Sequence, residues 1–240
     1  ALVAKLQDCD AIVASHTELF PADVIAKLPD GFKAICNVSV GHDHVDKPAA
    51  KAKGVVVTNT PAVLSDATAE IAMLCMLGAA RRASEGARLI RSGGWKDWSL
   101  SFMVGRQVTG KTLGILGMGR IGEVFANRAK GFDMRVLYHN RRPSPAADAI
   151  GAEYVDSLDA LLAQSDYFSL NCPATPETKG ILNAERIAKL PKGAIVINTA
   201  RGALVDDDAL INALKTGHLF SAGLDVFNDE PNIDPRYAEL

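Results

Sequence analysis

The run Gly117-Met118-Gly119-Arg120-Ile121-Gly122 follows the apolar stretch "KTLGIL" and opens the helical stretch Arg120–Lys130, with the second apolar run "MRVLYH" beyond it. A G-x-G-x-x-G held between strand and helix restricts a chain more than any other feature here. The glycines allow a tight turn, close approach of the backbone to a pyrophosphate, and close packing of helix on strand. The amide groups and positive dipole of the helix start then face the phosphates. Glycines also end strands for packing reasons alone. The strand before, the helix after and the second strand beyond favour dinucleotide binding.

The rest of the chain repeats this alternation. "DAIVAS", "KAICNV" and "GVVVTN" are short β-branched runs separated by helical stretches at Pro21–Leu28 and Asp46–Lys53. Continuous apolar strands between helices predict parallel sheets covered on both faces. A helical run from Ser65 to about Arg91 follows, with Ser65 as N-cap, Gly93-Gly94 as stop, and an apolar surface through "AEIAMLCMLGAA" that predicts burial. After "KTLGILG" and "MRVLYH" come a short helix near Pro145–Ile150, the strand "AEYV", the Ser157-capped helix "LDALLAQ" and the strand "DYFSLNC". A helix near Asn183–Leu190, the strand "GAIVINTA", an Asp206-capped helix to about Thr216 and the strand "FSAGLDVF" complete the series. The predicted fold class is α/β: two Rossmann-like doubly wound parallel-sheet domains with a cleft between them. The boundary is placed inside the long helix. Residues 1–84 form a partial substrate-binding domain and 85–240 the dinucleotide-binding domain. Both ends read as cut, because the chain starts inside a helix leading to a strand and stops at "PRYAEL" just after a catalytic-looking segment.

The composition suits a cytoplasmic enzyme. The chain has 240 residues, 48% hydrophobic and 22% charged, with a net charge of −2, so neither nucleic acid nor an anionic membrane is an expected partner. No apolar run reaches the roughly 18 residues of a membrane span, and no signal-peptide pattern opens the chain. Cys9, Cys36, Cys75 and Cys172 form no C-x-x-C and read as reduced thiols, with no disulfide and no metal expected.

About 20 residues beyond the glycine run lies the position that reads the cofactor ribose, and counting on from Gly122 reaches Asn140. An aspartate there would bond the 2′-hydroxyl of NAD and repel the 2′-phosphate of NADP. Asn140 removes that repulsion, and Arg141 and Arg142 offer a planar, permanently charged phosphate clamp. The alternative is a pair of merely solvated loop arginines. The expected cofactor is NADPH, with NAD possible.

Three more segments place polar groups at the ends of predicted strands: "NVSVGHDHVD" with the Val40 and Gly41 amides, "INTARG" with Arg201, and "LDVFNDEP" with Asp225 and Glu230. An arginine fork suits a 2-oxo acid, gripping the carboxylate and polarising the carbonyl. Hydride addition also needs a proton donor titrating near neutrality, usually a histidine, which a carboxylate such as Glu230 would orient. His16, His42, His44, His139 and His218 offer Glu230 no convincing partner, and His42-x-His44 lacks a third metal ligand.

The segments "VSVGHDHVD", "VTNTPAVLSDATAE", "GKTLGILGMGRIG", "NTARGALVD" and "AGLDVFNDEP" resemble the D-isomer-specific 2-hydroxyacid dehydrogenase family, in the family's order and over nearly the whole chain. Within it the chain is most similar to the NADPH-dependent glyoxylate/hydroxypyruvate reductases. The resemblance implies reduction of glyoxylate to glycolate and of hydroxypyruvate to D-glycerate. It implies that Arg201 binds substrate, that Glu230 belongs to an Arg–Glu–His set whose histidine lies beyond Leu240, and that Val40 and Gly41 bind the substrate carboxylate. For the cofactor it implies Arg120 and Ile121 at the pyrophosphate. Thr68, Cys172, Pro173, Thr178, Thr199, Ala200, Arg201 and Asp225 line the rest of that site, with Asp225 at the carboxamide. It also implies a homodimer in which the loop bearing Trp95, Trp98 and Phe102 reaches the partner. Alternatives are another family member, acting on phosphoglycerate, 2-ketogluconate or formate, or a non-catalytic nucleotide-sensing scaffold.

Overall fold

The computed structural model describes residues 2–240 as two compact units, residues 2–64 and 65–240. The first unit holds α1 (Leu2–Lys5), β1 (Ala11–Ala14), α2 (Ala22–Ala26), β2 (Ala34–Asn37), α3 (Lys47–Ala52) and β3 (Val56–Thr58). Its three strands are parallel in the order β1-β2-β3, with Ile12 beside Ile35 and Ile35 beside Val57. Residues alternate across a sheet, so Ile12, Ala14, Ile35 and Val57 share one face, where Phe20, Ile25, Leu28, Val45 and Ala50 pack. The opposite face carries Val13 at 74% and Val56 at 59% exposure. Burial on both faces was expected from the apolar runs; among the described residues of this unit, the core lies on one face only. The Asp46 carboxylate accepts the Ala49 N–H at 2.9 Å and caps α3.

The second unit opens with α4 (Ser65–Ala80) and α5 (Ala83–Arg91). The sequence predicts one helix here. It breaks because Arg82 takes a left-handed conformation (φ 55°) and the Ala80 carbonyl accepts the Arg106 N–H at 2.8 Å instead of continuing the helical ladder. Ala69, Ala72, Met76 and Ala80 bury one stripe of α4 against this unit's own core. An ideal Cβ on Gly223 would come within 2.5 Å of the Cys75 carbonyl, so α4 meets its neighbouring strand backbone to backbone. The long helix therefore belongs wholly with residues 65–240, some twenty residues ahead of the boundary expected at residue 84.

β4 (Thr112–Leu116), α6 (Arg120–Ala129), β5 (Arg135–His139), α7 (Pro145–Ala149), β6 (Glu153–Tyr154) and α8 (Leu158–Ala163) follow, then β7 (Tyr167–Leu170), α9 (Ala184–Ile187), β8 (Ala194–Asn198), α10 (Asp207–Lys215) and β9 (Leu219–Leu224). All six strands are parallel, in the order β6-β5-β4-β7-β8-β9. Alternation feeds two cores: Ile195 and Ile197 of β8 face the α4–α6 layer, and Ala194 and Val196 face the α8–α10 layer. This is a doubly wound sheet, whose strand order reverses between β4 and β7, the place where such sheets bind ligands. No helix is long and apolar enough to cross a membrane, and no group of His, Cys, Asp or Glu among the described residues could hold a metal.

Candidate active site

The glycine turn sits at that switch point, and its three glycines answer to different demands. Gly117 has φ 100°, and an ideal Cβ there would lie 2.5 Å from the Cys172 N and 2.7 Å from the Asn171 C, so the turn is pressed against the end of β7. A Cβ on Gly122 would lie 2.6 Å from the Gly117 carbonyl, which sets how closely α6 meets β4. A Cβ on Gly119 would meet nothing within 4 Å: the turn leaves open space at this one point, at the start of α6. The Arg120 and Ile121 N–H groups, at the first positions of that helix, have no acceptor among the described residues. An open approach beside unpaired helix-end donors fits a phosphate.

Asn140, at the end of β5, is half-buried and bonds Met118 through both ends of its amide, at 2.7 and 3.1 Å. Arg141 and Arg142 are exposed, and neither forms an ion pair among the described residues. The Thr175 hydroxyl first, and last the Arg141 charge, hold the Glu177 carboxyl below its usual range. In the loop after β7 Thr178 Oγ1 donates to the Pro173 carbonyl at 2.8 Å and accepts the Thr175 N–H at 2.8 Å, fixing the Cys172-Pro173 exit from the strand. Burial pushes the Cys172 thiol up to about 11, so it stays protonated.

At the end of β8, Asn198 is 1% exposed and clasps the next turn: its Oδ1 accepts the Ala200 N–H at 3.0 Å and its Nδ2 donates to the Arg201 carbonyl at 2.9 Å. Arg201 is thereby presented with its backbone fixed, and its Nη1 donates to the Ala200 carbonyl at 2.7 Å. Gly202 abuts the backbone of Phe227 and Asn228 with no room for a Cβ. Glu230 in turn accepts the Phe227 N–H. Arg201 and Glu230, 29 positions apart in sequence, thus stand on two loops in direct contact. Asp225 is exposed at the end of β9, its N–H donating to the Asn198 carbonyl at 3.0 Å. Burial first, and then the Asp225 charge, raise the Cys75 thiol above its ordinary value. Thr199 is 9% exposed, and its Oγ1 is buried without a partner, the kind of atom that calls for a missing ligand or water. Thr68 is half-buried in the first turn of α4.

In the first unit, the Val40 carbonyl accepts from Asn59 Nδ2 at 2.9 Å and the Gly41 carbonyl from Ser39 Oγ at 2.6 Å. Both carbonyls are tied back into the fold, and the Val40 and Gly41 N–H groups donate to no acceptor among the described residues. His44 Nε2 pairs with Asn37, His139 Nδ1 with the Val155 carbonyl and His218 Nε2 with the Ile187 carbonyl.

Of the asparagines that orient these loops, Asn140 alone is reached from a motif. Asn37 and Asn198 end β2 and β8, while Asn140 and Asn171 directly follow β5 and β7, and each carries a side-chain hydrogen bond at its strand's exit. The signal is present in the sequence as "AICN", "LYHN", "FSLN" and "IVIN".

A doubly wound sheet with a glycine turn open to phosphate at its switch point defines a dinucleotide-binding protein. The match to known proteins is more specific. Residues 73–239 match the model of the D-isomer specific 2-hydroxyacid dehydrogenase NAD binding domain. The chain is 45% identical to the glycerate dehydrogenase of Hyphomicrobium methylovorum, over 100% of this chain and 75% of that protein. It is 44% identical to the glyoxylate reductase of Thermococcus litoralis, over 100% and 73%. A glyoxylate reductase crystal structure from Paecilomyes thermophila superposes with a TM-score of 0.90 at 40% identity, over 99% of this chain and 73% of that one. The chain belongs to the D-isomer specific 2-hydroxyacid dehydrogenase family.

Proposed function

We propose that this dehydrogenase works as an NADPH-dependent reductase of small 2-oxo acids, converting glyoxylate to glycolate and hydroxypyruvate to D-glycerate. The observation that carries the cofactor preference is the exposed Arg141–Arg142 pair, without an ion pair among the described residues, following a strand that ends in an amide rather than a carboxylate. The glyoxylate reductase and glycerate dehydrogenase relatives support the substrate class.

When bound, the cofactor supplies the hydride that reduces the substrate carbonyl. The protein's part is to bind, orient and polarise. Arg120, Ile121 and the Gly117, Gly119 and Gly122 turn hold the pyrophosphate, Arg141 and Arg142 the 2′-phosphate, and Asp225 the carboxamide. Thr68, Cys172, Pro173, Thr178, Thr199 and Ala200 line the remainder. The Arg201 guanidinium grips the substrate carboxylate and draws electron density from its carbonyl. The Val40 and Gly41 amides serve the carboxylate as well. Glu230 orients an imidazole that gives the proton to the developing alkoxide. Four unpaired cysteines suit a reducing compartment such as the cytoplasm. A homodimer would cover the loop where Trp95, Trp98 and Leu100 are 53%, 71% and 89% exposed.

Steady-state kinetics with glyoxylate, hydroxypyruvate, pyruvate and 2-ketogluconate, each with NADPH and NADH, test the proposal. Glyoxylate and hydroxypyruvate with NADPH are expected to give the highest kcat/KM. A tenfold preference for NADH would overturn the cofactor assignment, and binding without turnover would point to a nucleotide-sensing scaffold. Arg141→Ala with Arg142→Ala should lower kcat/KM for NADPH by roughly 30- to 100-fold, about 2–3 kcal/mol, and leave NADH within threefold. Thr199→Val has the opposite profile for stability. Removing a hydroxyl that has no partner should leave Tm unchanged or raised, while weakening cofactor binding roughly three- to tenfold, measured by fluorescence titration.

A further inference from the structure

Asn140 is fastened to a single residue of the glycine turn. Its Oδ1 accepts the Met118 N–H at 2.7 Å and its Nδ2 donates to the Met118 carbonyl at 3.1 Å. One planar amide therefore satisfies both polar groups of Met118, a residue 3% exposed at the apex of the turn. The support continues behind it. Tyr154 Oη donates to the Asn140 carbonyl at 3.2 Å, His139 Nδ1 pairs with the Val155 carbonyl at 2.8 Å, and Gly117 N–H donates to the His139 carbonyl at 3.1 Å. The Gly119 N–H is also taken, by the Gly117 carbonyl at 3.0 Å. With the Met118 and Gly119 amides both used inside the turn, the donors left for a phosphate are those of Arg120 and Ile121. Where they point depends on how the Met118 peptides are held.

We propose that Asn140 is a positioning residue that shapes the phosphate-binding turn, setting affinity for either dinucleotide and leaving discrimination at the 2′ position to Arg141 and Arg142. The inference rests on the assignment of Gly117–Gly122 as the dinucleotide turn, and it separates two roles that counting along the sequence merges at Asn140. An aspartate at this position could still accept the Met118 N–H. It has no donor for the Met118 carbonyl and would set an anionic oxygen against it. A residue that only reads the ribose would behave in the opposite way, because its aspartate variant would gain a bond to the 2′-hydroxyl of NADH.

The test uses Asn140→Asp and Asn140→Ala, with Kd for NADH and NADPH from nicotinamide fluorescence, kcat and cofactor KM with glyoxylate, and amide exchange of Met118 in the cofactor-free protein. Asn140→Asp is expected to weaken NADH five- to twentyfold, with kcat at saturating cofactor within threefold of wild type. Asn140→Ala should weaken both cofactors by factors that agree within twofold. In the wild type the Met118 amide should exchange at least tenfold more slowly than that of Arg120, and lose that protection in Asn140→Ala. Tighter or unchanged NADH binding in Asn140→Asp would overturn the proposal, as would an unprotected Met118 amide in the wild type. The wild-type exchange result decides the matter if neither variant folds. A wild type preferring NADH would sink the NADPH assignment alone, since the role of Asn140 is tested by the NADH arm and by Met118 exchange.

Discussion

Replacing Arg201 with alanine is expected to lower kcat/KM for glyoxylate by roughly a thousandfold, about 4 kcal/mol of transition-state stabilisation, while the Kd for NADPH stays within threefold. The charge lost is the one proposed to polarise the substrate carbonyl. The backbone that carries it is held independently, because Asn198 bonds the Ala200 N–H and the Arg201 carbonyl at 3.0 and 2.9 Å, and neither bond involves the Arg201 side chain. Arg201→Lys should recover little, since an ammonium lacks the planar fork. Single-turnover measurements with pre-bound cofactor separate chemistry from binding. A kcat/KM within tenfold of wild type would remove Arg201 from the proposed chemistry.

The second large effect concerns folding. Gly117→Ala puts a side chain at φ 100°, and its Cβ would sit 2.5 Å from the Cys172 N, a backbone atom of a buried strand end that has no free direction to move. Strain in this region costs on the order of 1–3 kcal/mol and overpacking a similar amount, so about 3 kcal/mol of stability should be lost. For a unit of this size that is a fall in Tm of roughly 6–12 °C. Gly119→Ala is the control: its Cβ meets nothing within 4 Å, so Tm should hold while cofactor Kd weakens. Equal Tm losses in the two variants would contradict the distinct roles given to these glycines.

Much of the dinucleotide unit was legible from local pattern. Apolar runs such as "GAIVINTA" became β8, buried at all five positions because each face of the doubly wound sheet has its own core. Ser157 and Asp206 cap α8 and α10 as their spacing predicts. Local pattern failed where a distant segment decided the outcome. The run Ser65–Arg91 has no internal proline, and its glycines, Gly78 and Gly86, lie inside α4 and α5 rather than at the break; α4 ends because Gly105 and Arg106, more than twenty residues on, dock against the Ala80 carbonyl. Likewise, counting from Gly122 locates Asn140 but not what it bonds. That depends on β5 lying beside β4, with Leu116 opposite His139. The boundary differs for the same reason: the apolar residues of α4 predict that it packs, and only the packing shows that one stripe does so, against the sheet of residues 65–240.

The strand-end asparagines have a consequence for how this scaffold can change. Asn140 and Asn198 grip the main chain of the turns they serve, at Met118 and at Ala200 and Arg201, and Ser39 and Asn59 grip main-chain carbonyls in the same manner. A turn held by its peptide groups depends little on those of its side chains that meet no neighbouring backbone. Substrate and cofactor preference can then drift by exchanging residues that project from these turns, one at a time, without a compensating change in the frame. Insertions are another matter, since a single added residue moves the gripped peptide out of the amide's reach. Divergence along such a lineage should therefore be rich in substitutions at Ala200 and Val40 and poor in length changes beside them.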